Sequence, residues 1–204
     1  VLIAMAPESI LLAGIVVLIA LEIGGARERS ALPVAFLAMI AAAAAATWLS
    51  LNGYAIEAFP GHFSVDPQAL LAKAIVLALA VPVVLISRDE IAQRQLHILL
   101  LSSLYGVCLL LSADSFLTLF LGIELMSLPV YALVLLAYRR PESAEAALKY
   151  LVLRGAATAT LLMGVSLLYG GNGSLGYAAF GDALQSTDTM KQMAVVLVIV
   201  AFFL

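Results

Sequence analysis

The chain has 204 residues, 64% of them hydrophobic and 11% charged, with a formal net charge of −3. That leaves too little polar surface to cover a water-soluble domain of this size, so a lipid-facing exterior is expected. No basic block points to nucleic acid, and the lack of period-two alternation argues against an outer-membrane barrel.

A hydrocarbon core about 30 Å thick takes roughly 20 apolar residues per helical span, and such runs recur along nearly the whole chain. The first is expected over residues 9–23. It has no positive n-region and no small-residue cleavage site, and Pro7 and Glu8 open it, so it reads as a retained helix rather than a signal peptide. Further spans are expected over 31–51, 69–86, 96–113, 115–137 and 144–169. As one helix, the stretch from 96 to 137 would measure about 63 Å, twice the bilayer core, so the chain must reverse, and Ser112, Asp114 and Ser115 mark the place. A seventh span begins near Met193. The chain opens on Val1 and stops at Leu204, part-way into that run, which reads as a fragment of a longer protein.

Arg27 and Arg29, Arg88 and Arg94, and Arg139 and Arg140 fall in alternate loops, which are expected on the cytoplasmic side. The opposite loops, 52–68, the turn at Asp114 and 170–192, carry acidic residues and only Lys191 as a basic one, so the N-terminus is expected outside. Tyr138 and Tyr169 stand where interfacial aromatics belong. The glycine-rich stretch 170–181 is expected to be a flexible connector, since no P-loop spacing follows it. Cys108, alone in an apolar run, reads as a packed core thiol.

The informative residues are the ionisable ones inside the spans: Lys73, Glu124, Lys149 and Arg154, with His97 near a cytoplasmic end. Each central charge costs on the order of 2.5 to 3.5 kcal/mol, so it needs protein, water or a partner. Glu124 lies roughly 14 Å into the fifth span, too deep to snorkel. Pro129 follows, and because proline cannot donate to the Leu125 carbonyl, a kink and a free acceptor are expected one turn from the carboxylate. Burial favours its protonated form and a nearby cation its ionised form, so a partner that moves or changes charge lets it bind and release a proton. Arg154 matches Glu124 in depth and is the candidate for a fixed bridge, while Lys149 lies shallow enough to reach the headgroups. Lys73, near the outer end of the third span, is expected to snorkel. His97 is either a proton carrier at the cytoplasmic mouth or an ordinary interface residue. Gly155, Ala156, Ala157 and Ala159 are expected to make the sixth span a close-packing helix.

The run Phe120, Leu121, Gly122, Ile123, Glu124, Leu125, Met126, Ser127, Leu128, Pro129 resembles the fifth-helix signature of the subunit N family of proton-translocating NADH-quinone oxidoreductase, respiratory complex I. Lys149 and Tyr150, after an amphipathic link over 141–147, strengthen the likeness, which is clearest over 96–180. The resemblance implies an all-α integral membrane fold: a multi-helix transmembrane bundle that is the N-terminal fragment of an inverted-repeat, antiporter-like protein. Residues 1–95 would hold three N-terminal helices and 96–204 the first part of the proton-translocating bundle. It also implies a relay of Glu124 and Lys149 with a seventh-helix lysine at or beyond Leu204. Arg154 departs from the family pattern, in which a small or hydroxyl residue is expected.

Nothing in the chain resembles a nicotinamide, flavin, iron–sulfur or quinone site, there being no GxGxxG after a strand and no cysteine cluster. NADH, FMN, iron–sulfur clusters and quinone are therefore expected in partner subunits, and the partners are the other membrane-arm subunits and the lipid of a bacterial inner membrane. The competing readings are a subunit of a multisubunit cation/proton antiporter and a passive scaffold with a structural Glu124–Arg154 bridge.

Overall fold

A computed structural model describes residues 3–25, 30–87, 94–136 and 141–204. In chain order the elements are α1 (Ala6–Ile23), α2 (Ala31–Leu51), β1 (Ile56–Phe59), β2 (Phe63–Val65), α3 (Pro67–Ser87), α4 (Arg94–Leu111), α5 (Phe116–Leu135), α6 (Pro141–Asn172), α7 (Tyr177–Leu184) and α8 (Thr189–Phe203). Helices α1 to α6 are each long and apolar enough to cross a bilayer, one for each span expected from the sequence. Helices α7 and α8 meet at 119° and would together make a seventh, broken span.

Local chemistry starts and stops these helices. Pro7 occupies the first turn of α1, where its missing N–H costs nothing. Asp66 caps α3 through an Ala69 N–H at 2.5 Å from its Oδ1, with Pro67 as the first helical residue. Ser115, in extended backbone, accepts from the Thr118 N–H and opens α5, so the chain reverses where Ser112, Asp114 and Ser115 mark it. Asp188 caps α8 in the same way.

Lipid offers no hydrophobic drive for helix association, so close approach must come from small side chains. Buried alanines at 35, 38, 42 and 46 give α2 one smooth face, and α1 meets it at Gly14, where an added Cβ would lie 2.6 Å from the Ala38 Cβ. Helix α4 presses Gly106 onto the α5 backbone, 2.3 Å from the Met126 nitrogen to a would-be Cβ, and α5 returns the contact with Gly122 on Leu110. Helix α6 meets α8 at Gly164, against Val198 and Ala194. The 155–159 stretch is not the close-packing surface: only Ala157 of its small residues is buried, and nothing lies within 4 Å of a Cβ placed on Gly155. Two apolar cores result, one from α1 to α4 around Leu11, Met39, Leu77 and Leu101, the other from α5 to α8 around Phe116, Leu161, Leu168 and Ala194.

One end of the bundle is closed by structure that the apolar pattern did not reveal. The segment after α2 forms a β-hairpin, with Ile56 opposite Val65 and Phe59 opposite Phe63, and Gly61 takes φ 72° in its turn. Its inward residues Ala58, Phe63 and Val65 pack on Ala4, Leu49 and Leu70. The hairpin bonds to the α4–α5 turn through Ser64 N to Ser112 O and Asp114 N to His62 O. That turn in turn bonds to the α6–α7 junction through Phe116 N to Leu175 O. The 170–181 stretch is therefore not a loose connector: it holds the end of α6, a turn and the start of α7, with Gly173 at φ 68°. Likewise 141–147 is no separate link but the first turns of α6.

Arg27, Arg29, Arg88, Tyr138, Arg139 and Arg140, on which much of the topology reading rests, lie outside the described residues. Arg94 is described, and it is not a loop charge: it begins α4, is 4% exposed, and donates to Glu22 at 2.7 Å and to the Leu21 carbonyl at 2.9 Å, tying α4 to the end of α1.

Two glycine substitutions separate tight crossings from open helix surface. Gly106→Ala drives a methyl into α5 backbone that has nowhere to move, and overpacking of this kind costs about 1–3 kcal/mol or more, whereas Gly155→Ala should be neutral or mildly stabilising. The thermal stability of the full-length subunit in detergent checks this; equal tolerance of both would mean that α4 and α5 do not meet at Gly106.

Candidate functional site

The site is built on the facing sides of α5 and α6. Glu124, Ser127 and Tyr131 fall at i, i+3 and i+7 of α5, which places them on one helical face. Tyr150 and Arg154 fall at i and i+4 of α6 and face that stripe. Glu124 lies about 12 Å along a helix of about 30 Å, so the carboxyl is well inside the hydrocarbon.

Four of the five side chains are in contact. The Arg154 Nε donates to the Ser127 Oγ at 3.2 Å, and Ser127, 1% exposed, donates to the Ile123 carbonyl at 2.7 Å. Tyr131 stacks edge-on against Tyr150 with ring centroids 5.0 Å apart. Tyr131 also engages Ser127 and lies within the fields of both Glu124 and Arg154. Glu124 is half-buried, and its Oε1 is fully enclosed with no hydrogen-bond partner among the described residues.

No ion pair joins Glu124 to Arg154 among the described residues, so the fixed bridge that their matched depths invited does not form. The guanidinium stays with Ser127, three residues on, and leaves a mid-membrane carboxyl near a fixed cation but not tied to it. A carboxyl in that position can be stabilised either by a proton or by a small shift of the arginine.

The backbone next to Glu124 is open to hydrogen bonding too. Helix α5 runs continuously through Pro129, whose missing N–H removes the donor that the Leu125 carbonyl would receive. Gly106 lets α4 lie directly on that turn, and Ser103 of α4 donates to the next carbonyl, Met126, at 3.0 Å. A groove of about 460 Å³ runs along the same place, lined by Leu12, Ser102, Tyr105, Leu125, Leu128 and Pro129.

Lys149 lies elsewhere. It is in the third turn of α6, 69% exposed, and pairs with Glu145 at 2.5 Å on its own helix. Helix α6 spans 32 residues, about 48 Å, and so outruns the hydrocarbon by several turns; its polar beginning, Lys149 included, falls at that excess end. His97 is in the first turn of α4, 5% exposed, at the end that carries Arg94. Lys73 does not snorkel at all: it is 0% exposed and pairs with Glu8 at 2.6 Å. Ser127, Tyr131 and Tyr150 were missed as site residues, although the i, i+3, i+7 spacing from Glu124 was there to be read. His62, bonded through Nδ1 to Ser115 at 3.1 Å, was also missed because only the hairpin brings it to α5. Among the described residues, no group of three or more His, Cys, Asp or Glu side chains is gathered to hold a metal.

Residues 113–204 match a family described as NADH:quinone oxidoreductase/Mrp antiporter, transmembrane. Over 198 residues the chain is 31% identical to NADH-quinone oxidoreductase subunit N of Pelobacter propionicus, a match that covers 97% of this chain and 43% of that relative. The chain is thus similar, over its C-terminal part, to this transmembrane family and, over nearly its whole length, to the N-terminal part of such a subunit. Among solved structures, it superposes on respiratory complex I from Thermus thermophilus with bound aureothin at 27% identity and a TM-score of 0.82, covering 97% of this chain and 43% of that one. The Mrp complex from a Dietzia species matches at 21% identity and a TM-score of 0.77, covering 97% of this chain and 40% of that one, a likeness that shows the fold alone. The chain thus spans about two fifths of the length of these proteins. The family match begins at Ala113, so Glu124, Lys149 and Arg154 fall inside it, while Glu8, Lys73 and His97 fall before it.

The α5–α6 link is testable by a double-mutant cycle. Ser127→Ala and Arg154→Gln should be non-additive in the stability of the full-length subunit, with a coupling of about 0.6 kcal/mol, the usual size for a side-chain hydrogen bond inside a membrane bundle. Additive losses would show that the Arg154–Ser127 contact contributes nothing.

Proposed function

We propose that the chain forms part of a membrane-arm subunit of NADH-quinone oxidoreductase and that Glu124 takes up and releases a proton as quinone is reduced elsewhere in the complex. One observation carries this reading: Glu124, inside a bilayer-length helix, has an enclosed carboxyl oxygen with no hydrogen-bond partner among the described residues. An ionised group so placed costs on the order of 2.5–3.5 kcal/mol unless it gains a proton or a partner. Pro129 deprives the Leu125 carbonyl of its usual helical donor one residue along, and Arg154 of α6, held at Ser127, keeps a fixed positive charge on the facing helix.

Each residue then has a role set by its chemistry. Arg154 keeps its charge at every relevant pH, so it tunes Glu124 and does not carry the proton. Ser127 and Tyr131 offer hydroxyls along the same stripe, groups that can pass a proton by giving one and taking another. Lys149, by resemblance, continues the relay toward the excess end of α6, where its ammonium pairs with Glu145. His97 would serve the same end from α4. The redox groups, NADH, FMN, iron–sulfur clusters and quinone, belong to partner subunits in this reading, and the enzyme is the assembled complex. The partners are the neighbouring membrane-arm subunits and the lipid of a bacterial inner membrane, with the hairpin end and the N-terminus outside.

Glu124→Gln in the full-length subunit keeps the shape and abolishes titration. Proton translocation per NADH oxidised, measured in inverted vesicles whose complex is shown to assemble, should fall. Normal pumping with normal electron transfer would sink the relay. Sodium-dependent proton exchange with no link to NADH oxidation would assign the chain to the cation/proton antiporters, which share the fold.

A further inference from the structure

A second pair of opposite charges is sealed within the bundle, at the hairpin end, far from the α5–α6 stripe in sequence. Glu8 in the first turn of α1 and Lys73 in the second turn of α3 meet at 2.6 Å, with side chains 1% and 0% exposed. Neither Glu8 oxygen nor the Lys73 nitrogen has a further hydrogen-bond partner among the described residues. The Phe63 ring of the hairpin lies over the Lys73 Nζ, 5.3 Å from its centroid. The titratable groups that α4 brings within its electrostatic reach are Tyr105 and Cys108, and Cys108 feels both members of the pair.

Helix anchoring alone does not call for this arrangement. A buried ion pair offsets the cost of leaving water only when extra hydrogen bonds satisfy the remaining lone pairs and protons. Among the described residues, the carboxylate and the ammonium here have only each other and a ring face. Moving one proton relieves that cost: an N–H bond of Lys73 breaks, its electron pair stays on nitrogen as a neutral amine, and the proton forms an O–H bond on Glu8. Net charge is unchanged, no co-reactant is needed, and both products are neutral. Starting from that neutral state, one further proton from water gives the acid beside an ammonium, and its loss restores the neutral pair.

The pair also has a route to the rest of the bundle. Leu12 stands one turn from Glu8 on α1 and lines, with Ser102 and Tyr105 of α4, the groove that reaches Leu125, Leu128 and Pro129 of α5. Tyr105 therefore belongs both to the surroundings of Glu8 and to the groove.

We propose that Glu8 and Lys73 form a second proton-holding pair, sharing a proton between carboxyl and amine beneath the Phe63 ring and communicating with the α5 site through Tyr105 and the α1–α4–α5 groove. Its place in translocation rests on the reading of Glu124 given above; the pair's ability to hold a proton does not.

The test uses the complete complex carrying the double variant Glu8→Gln/Lys73→Met, which keeps both shapes and removes both charges, run beside Glu124→Gln. The expected result is an assembled complex that still oxidises NADH but moves fewer protons per NADH than wild type. An assembled complex with wild-type pumping overturns the proposal and leaves the pair a helix anchor. If Glu124→Gln pumps normally while the double variant does not, the Glu124 relay fails and this pair stands. Should the double variant not assemble, the wild-type complex is treated with a hydrophobic carbodiimide, which adds to protonated carboxyl groups, and the α1 peptide is analysed by mass spectrometry. A modified Glu8 supports proton sharing; an unmodified Glu8 overturns it.

Discussion

Inside a hydrocarbon layer, every charge must find a counter-charge, a proton or water, and every backbone polar group must bond within the protein. That constraint explains where this chain spends its few polar residues. Glu8 and Lys73 neutralise each other, Arg94 takes Glu22 and a helix-end carbonyl, and Arg154 takes a serine hydroxyl. Glu124 alone among the singled-out intramembrane charges has an enclosed oxygen and no ion pair among the described residues. The group with the least complete local satisfaction is the one most responsive to a change in its surroundings, which is what a proton carrier requires.

The same constraint shapes the scaffold. Because lipid competes as well as leucine for apolar surface, helices associate where backbones can touch, and glycines mark those points on α1, α4, α5 and α6. Gly106 has a second effect: it brings α4 onto the turn of α5 that Pro129 has deprived of a donor, next to Glu124. Tight packing and a carbonyl that has lost its usual helical donor thus share one place on α5.

The number of spans, their order and the reversal at residues 112–115 were legible in the sequence because hydropathy and length decide them. That residue 124 puts a carboxyl inside a long apolar helix was also legible, since position along the span decides it. Less was legible wherever the answer depended on which residues meet. Lys73 read as a snorkelling lysine since depth alone favours that, and only the fold shows Glu8 opposite it. The alanine and glycine run at 155–159 had the composition of a packing surface but faces outward, while Gly164, one isolated glycine, makes the contact with α8. The hairpin escaped notice because its two strands are short and their pairing partners are loop backbone as much as each other. Arg154 was matched to Glu124 by depth along its helix, and the fold gives its guanidinium to Ser127 instead.

The lacing of the hairpin end has a mechanical meaning. The hairpin, the α4–α5 turn and the α6–α7 junction are joined there by main-chain hydrogen bonds and by Phe116 wedged between Tyr177 and Phe180. Helices α5 and α6 are thus clamped at one end like the arms of a tuning fork, so any swing between them pivots at the clamp and widens with distance from it. Along that lever Glu124 comes before Ser127 and Arg154, and the Tyr131–Tyr150 contact comes last. A rotation about that clamp would therefore displace the ring contact most and the Glu124 carboxyl least, with the arginine in between.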